Sequence, residues 1–129
     1  MSLIIICVAI IVFMPFVAKI PVALEMHRLN GYDNKNPRDQ QAKLTGLGAR
    51  ALAAHQNCFE AICLFAPTVL LVLALDEHNV YTVQLCLAYV LSRVLYLVFY
   101  WMNWDKLRSI VWVLGIGTLV AHYWMLLIV

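Results

Sequence analysis

Arg50-Ala-Leu-Ala-Ala-His-Gln-Asn-Cys-Phe-Glu60 stands at the head of an apolar run that continues to about Leu75. On a helix, at about 100° per residue, Asn57 falls about 20° from Arg50 and Glu60 about 80° from it. Ala53 and Ala54 lie between them, so the stripe is polar at its ends and small in its middle. Such a face lets a second helix approach closely and offers it hydrogen bonds. A carboxylate about ten residues inside a membrane helix is costly and marks a functional site by default. The alternative is structural: Glu60 pairs with an arginine and fixes helix register.

The surroundings of that stretch are those of a membrane protein. Of 129 residues, 64% are hydrophobic and 12% charged, with a mean hydropathy of +0.85, far from the balance of a water-soluble domain. One integral membrane domain over residues 1–129 is the economical reading. A net charge of +2 is too small to argue for nucleic acid. Cys7, Cys58, Cys63 and Cys86 all lie in apolar runs without a C-x-x-C pattern, and read as reduced, buried small residues. His55 and Cys58 share a helix face, but two ligands do not make a metal site, and no metal is expected.

Four spans follow, over about 2–27, 46–75, 80–103 and 106–128, giving an up-down-up-down all-α bundle. The first lacks a basic leader and runs on past Pro15 and Pro21, so it reads as an uncleaved transmembrane helix in which Lys19 snorkels to the interface. Asn30-Gly31 and Asn36-Pro37 are turn signals in the one long polar segment, and Asp76-Glu77-His78-Asn79 forms a short acidic hairpin loop. The first loop and its flanks carry Arg28, Lys35, Arg38, Lys43 and Arg50, the third Lys106 and Arg108, and the second no Lys or Arg. The positive-inside rule therefore puts loops one and three in the cytoplasm and both termini outside, with Glu60 about 15 Å inward of Arg50.

A second polar stripe runs along the third span: Tyr89, Arg93, Tyr96, Tyr100 and Asn103, at spacings of four, three, four and three. An interfacial aromatic belt, to which Trp101 and Trp104 belong, would not follow one face two turns into the membrane, so a polar cleft is favoured. Arg93 lies at the depth of Glu60, and an interhelical Glu60–Arg93 pair is expected. The fourth span opens with Asp105-Lys-Leu-Arg108-Ser109, Asp105 reading as an N-cap. An arginine and a hydroxyl in a first helical turn can stabilise a thiolate, or Arg108 can bind lipid phosphate at the inner surface. Gly115, Gly117 and Thr118 read as packing positions and His122 as structural.

Two segments resemble the MAPEG family, the membrane-associated proteins in eicosanoid and glutathione metabolism. Arg50-Ala51 with Ala54-His55-Gln56-Asn57-Cys58-Phe59-Glu60 and Leu64-Phe65 is similar to its helix 2 signature; Arg93-x-x-Tyr96-x-x-x-Tyr100 with Arg108-Ser109 is similar to its helix 3 to helix 4 segment. The resemblance covers essentially the whole chain. It implies a homotrimer of four-helix subunits, of bacterial type and in an inner membrane, binding glutathione between subunits near the cytoplasmic side. It also implies catalytic roles for Arg108 and Ser109, and glutathione contacts from Asn57, Glu60, Tyr96 and Tyr100, with Arg50 and Arg93 as further candidates on the two stripes. Ala53 departs from the pattern, standing where glutathione users of the family carry an arginine.

Three functions remain open at this level. The first is a glutathione-dependent transferase or peroxidase acting on lipophilic small molecules in the bilayer. The second is a non-catalytic protein that binds membrane lipid, suggested by Ala53 and Gln56 where a denser arginine cluster would be expected. The third is a small proton-coupled exporter built on Glu60, disfavoured because a neighbouring Arg93 would hold the carboxylate ionised.

Overall fold

A computed structural model describes residues 1–77 and 79–128, so His78 of the acidic loop and Val129 at the end of the fourth span lie outside the described residues. It contains α1 (Ser2–Asn30), α2 (Pro37–Ala42), α3 (Gly46–Ala74), α4 (Val80–Trp101) and α5 (Asp105–Ile128), and no strand among the described residues. All but α2 are long and apolar enough to cross a membrane. The protein is an all-α, integral, multi-pass membrane protein.

In lipid, apolar surface gains little from turning inward, so helices associate through close packing and hydrogen bonds. The tightest pairs are α1 with α3 and α4 with α5; α3 also meets α4 and α5, and α1 meets α4. Of the two small residues singled out on α3, Ala54 is buried and Ala53 half-buried. The buried stripe of small side chains, on a different face from Arg50, Asn57 and Glu60, is Gly48, Ala51, Ala54, Cys58 and Ala61. They face larger α1 residues, among them Ile4, Ile11, Met14 and Met26, spaced so that they form one stripe too. Pro15 lies inside α1, and its carbonyl is 2.9 Å from His55 Nδ1, a cross-helix bond from α3. Towards the other end, Phe65 stacks flat on Tyr89 at 4.6 Å between ring centroids, and the Tyr89 hydroxyl donates to the Ala61 carbonyl at 3.1 Å. His122 is fully buried, with Nδ1 2.8 Å from the Thr118 carbonyl and Nε2 facing Cys86 Sγ at 3.7 Å. Cys63 departs from the expected burial of the cysteines and is exposed on the subunit surface.

The α4–α5 pair is built on Arg93, which is 4% exposed. Its Nη2 donates to the carbonyls of Val111 and Trp112 at 3.2 and 3.3 Å, and its Nε to Ser92 Oγ at 3.3 Å; that hydroxyl in turn donates to the Tyr89 carbonyl. The expected Glu60–Arg93 pair is therefore absent: the cation turns to α5, where two successive backbone carbonyls offer lone pairs. Gly115 makes this possible, because a Cβ there would lie 2.6 Å from both Arg93 Nη2 and Ser92 Oγ. Gly117, read with it as a packing position, has nothing within 4 Å of a would-be Cβ and takes no part in subunit packing.

The short connections end α3 and α4 in the same way. Asp76 and Asn103 adopt left-handed conformations, φ 57 and 61, that Asp and Asn tolerate better than most residues. In each case the next two amides return to the last helical turn: Asp76 to Leu73 and Glu77 to Val72, Asn103 to Tyr100 and Trp104 to Phe99. Helix α4 thus stops at Trp101, and Asn103 leaves the polar face on which the spacing had placed it. Asp105, expected as an N-cap, is the first helical residue of α5; the carbonyl of Trp104 accepts the Arg108 amide. Asn79 caps α4 in a capping box with Thr82. In the first loop, Gln40 reaches from α2 to the carbonyls of Met26 and Gly31, and its Oε1 accepts the Asp33 amide. The Asp33 carboxylate accepts the amides of Asn36 and Lys35, which holds its pKa below the usual value.

The Arg93 dock predicts an asymmetry. Gly115→Val drives a side chain into Arg93 and Ser92 and should lower stability in detergent by about 1–3 kcal/mol, the range of overpacking. Arg93→Met should cost much less, because the Val111 and Trp112 carbonyls keep their own helical bonds and no buried charge is stranded. Chemical denaturation of both variants checks it; equal losses would contradict the dock.

Candidate functional site

The three-residue connection between α4 and α5 folds the start of α5 back beside the end of α4. Tyr96, Tyr100, Arg108 and Ser109 consequently line one open cleft of about 260 Å³, together with Trp112 and Val113. Arg108 places its guanidinium 4.3 Å from the centre of the Tyr100 ring. Tyr100 meets Tyr96 edge to face at 5.5 Å, and Arg93 lies 5.1 Å from Tyr96 and 5.4 Å from Tyr89. Three phenols on α4 thus meet two cations, Arg93 of α4 and Arg108 of α5, in cation–ring contacts worth about 0.5–2 kcal/mol each depending on how far water is excluded. The cleft lies between α4 and α5, not between the second and third spans as the two stripes suggested.

Arg108 has no carboxylate partner among the described residues, where the ion pair formed is Arg28–Glu25. Its charge is available to an anion in the cleft. Ser109 is differently disposed, because its hydroxyl donates to the Asp105 carbonyl at 3.0 Å. It can accept a hydrogen bond as it stands, and must break that contact to donate one.

Glu60 is exposed on the surface of the subunit, and its Oε2 accepts the Asn57 side-chain amide at 2.6 Å. Tyr96 is within electrostatic reach of Glu60 as well as of Arg108 and Arg93, although Glu60 does not itself line the cleft. Glu60 has Asn57 and not Arg93 as its partner, so the argument against proton coupling, which rested on a Glu60–Arg93 pair, falls. Arg50 is set apart from this group. Its Nη2 reaches the Trp101 carbonyl at 3.4 Å, where it ties α3 to the last turn of α4, and its buried Nε has no partner. Ala53 is half-buried and leaves the α3 stripe without a cation between Arg50 and Asn57.

Sequence reasoning did not single out Trp112, Val113, Ser92 or the particular role of Gly115. Trp112 was findable, since it follows Arg108 by four residues and shares its helix face. Ser92 and Gly115 matter through an arginine whose target is backbone, and side-chain spacing carries no sign of that. Among the described residues, no group of three or more His, Cys, Asp or Glu side chains could hold a metal ion.

No curated protein and no solved structure matches this chain. The sequence profile of the MAPEG family does, over residues 3–128, which takes in all four membrane-crossing helices and every residue of the cleft. With its helical architecture and that match over nearly its whole length, the chain belongs to the MAPEG family.

Proposed function

We propose that this protein is a membrane-bound, glutathione-dependent transferase or peroxidase that works on lipophilic electrophiles dissolved in the bilayer. The observation that carries the reading is Arg108, an unpaired guanidinium held over the Tyr100 ring at the mouth of a cleft lined by a second tyrosine and a serine. A cation so placed stabilises a thiolate over a thiol, and the thiolate is the nucleophile. In the transferase reaction the thiol proton leaves to solvent, the sulfur bonds to the electrophilic carbon, and the leaving group departs with its electron pair. Asn57, Glu60, Tyr96 and Tyr100 supply polar contacts for the rest of the tripeptide, with Arg93 supporting Tyr96 from beneath. Lys and Arg in the first loop and its flanks, with Lys106 and Arg108 after the third connection, support a cytoplasmic position for this end of the bundle, where glutathione is available, with both termini outside. A bacterial inner membrane fits that arrangement.

A homotrimer belongs to the same reading. The Asn57–Glu60 pair is carried on the outer surface of a helix that crosses the membrane, where a bare carboxylate facing lipid is costly. A neighbouring copy would cover it and close the cleft. Native mass measurement in mild detergent should give three copies; monomer alone would remove this part of the proposal.

A second reading, lipid binding without catalysis, is favoured by two observations. Ala53 removes one cation from α3, and the Ser109 hydroxyl is already committed to Asp105. The thiolate itself decides between the two. On adding glutathione near neutral pH, ultraviolet absorbance of a thiolate should appear, reflecting a fall of at least about one unit in the thiol's pKa, or about 1.4 kcal/mol. Arg108→Ala should abolish the signal while weakening binding modestly, and Ser109→Ala should reduce it less. Arg108→Lys should recover part of it, since it keeps the charge and loses the planar fork. Saturated binding with no thiolate signal would favour the lipid-binding reading.

A further inference from the structure

On the far side of α3 from Asn57 and Glu60, a second cavity of about 390 Å³ opens between α1, α2 and α3. Three cationic or protonatable side chains line it, one from each helix: Lys19, Arg38 and His55. Lys19 and Arg38 are close enough to repel each other, and both act on His55. No Asp or Glu lines the cavity. Asp39, next to Arg38 in sequence, lines a different cavity in the first loop, with Asp33 and Lys43. Lys19 is carried on a helix that crosses the membrane, eleven residues before its end at Asn30, so it cannot simply be dispersed into bulk water. Lys19 on a spanning helix, with Arg38 of the surface helix beside it and no acidic side chain among the lining residues, calls for an anion from outside.

We propose that this cavity is a headgroup site for an anionic phospholipid. The phosphate would take the Lys19 ammonium and the Arg38 fork, which suits phosphate geometry. His55 Nδ1–H donates to the Pro15 carbonyl, which makes Nε2 of the neutral ring an acceptor for a headgroup hydroxyl. Gln56 adds a neutral polar group for a glycerol or sugar hydroxyl. The remaining lining argues for a lipid over a free ion. Leu52 and the exposed Phe59 form an apolar part of the wall, the latter held edge to face on His55 at 5.1 Å. Phe16 and Ile20, flanking Lys19 on α1, are also exposed and give acyl chains an apolar surface to follow. The volume equals that of about a dozen waters at about 30 Å³ each, room for a glycerophosphate group and more than an inorganic ion needs. The assignment does not depend on the thiol chemistry at Arg108.

The test uses the full protein in a neutral detergent and calorimetric titration with short-chain phosphatidylglycerol. Phosphatidylcholine of the same chain length, inorganic phosphate and glutathione serve as comparisons. Phosphatidylglycerol should bind at least tenfold more tightly than phosphatidylcholine and than inorganic phosphate. The double variant Lys19→Gln/Arg38→Gln should lose at least tenfold of that affinity. Arg38→Gln alone, a change at an exposed residue of the surface helix α2, should lose about threefold with the unfolding temperature unchanged. Arg108→Ala should leave phosphatidylglycerol binding intact whether or not it alters glutathione binding, which separates failure here from failure of the thiol reading. Equal affinity for the two lipids, or undiminished phosphatidylglycerol binding in both cavity variants, would overturn the site. Inorganic phosphate binding as tightly as the lipid would make it an ion site and overturn the lipid assignment. Glutathione affinity falling with Lys19 and Arg38 while lipid affinity stays constant would hand the cavity to the thiol and overturn it as well.

Discussion

A guanidinium inside a lipid-embedded bundle must find acceptors within the protein, and in this chain Arg93 finds them in the backbone of the neighbouring helix. The rest of the bundle's polar end depends on that choice. Because the carbonyls of Val111 and Trp112 already complete helical hydrogen bonds, the arginine adds to α5 without interrupting it. Because Gly115 has no side chain, α4 comes close enough for the contact to form. The cation is then spread over the two tyrosines that flank it, Tyr89 and Tyr96, one of which stacks on α3 through Phe65 and the other of which borders the open cleft. One buried residue thereby links the packing of three helices to the wall of the candidate site.

The two halves of the bundle solve the packing problem differently. Helices α1 and α3 rely on shape, alanines and a glycine opposite larger aliphatic residues, with one cross-helix bond where Pro15 offers its carbonyl to His55. Helices α4 and α5 rely on hydrogen bonds to backbone. This division leaves the α1–α3 half smooth and the α4–α5 half polar, and the chemistry-bearing side chains collect on the polar half. Glu60 and Asn57, carried on α3 but turned to the outside of the subunit, and the Lys19, Arg38 and His55 cluster between α1, α2 and α3 stand apart from that division.

What the sequence made legible follows from what spacing encodes. Hydropathy located four membrane-crossing segments, because lipid demands an uninterrupted apolar length and nothing local overrides it. The grouping of Tyr96, Tyr100, Arg108 and Ser109 came from the family resemblance, and the short connection between α4 and α5 is what brings the four together. The partner of Arg93 was not legible. Equal depth along two helices says nothing about which way either is rotated, and a bond to a carbonyl leaves no mark in the side-chain pattern. The same reason hides Gly115, whose role appears once the arginine is in place. Asn103 was misplaced by extending a regular spacing one step too far, past the residue at which the helix stops. The helix α2 escaped notice because six residues starting at Asn36-Pro37 look like a turn, and proline is as suited to the first turn of a helix as to a turn proper.

The tight connection at Met102–Trp104 also sets where length can vary in this chain. Helix α5 is fastened at Gly115, seven residues or about two turns beyond Arg108, and tethered at its other end by a turn whose amides all return to α4. An extra residue in that turn has nowhere to be absorbed: it would either swing Arg108 by about 100° around the helix axis or pull Gly115 off Arg93. The longer segment between α1 and α3 is held by Gln40 on the Met26 and Gly31 carbonyls, by the Asp33 turn and by buried Leu44, none of which bears on the register of α4 and α5. A residue added to the third connection of this chain should therefore displace Arg108 from the Tyr100 ring, whereas one added to the first loop should leave that contact in place.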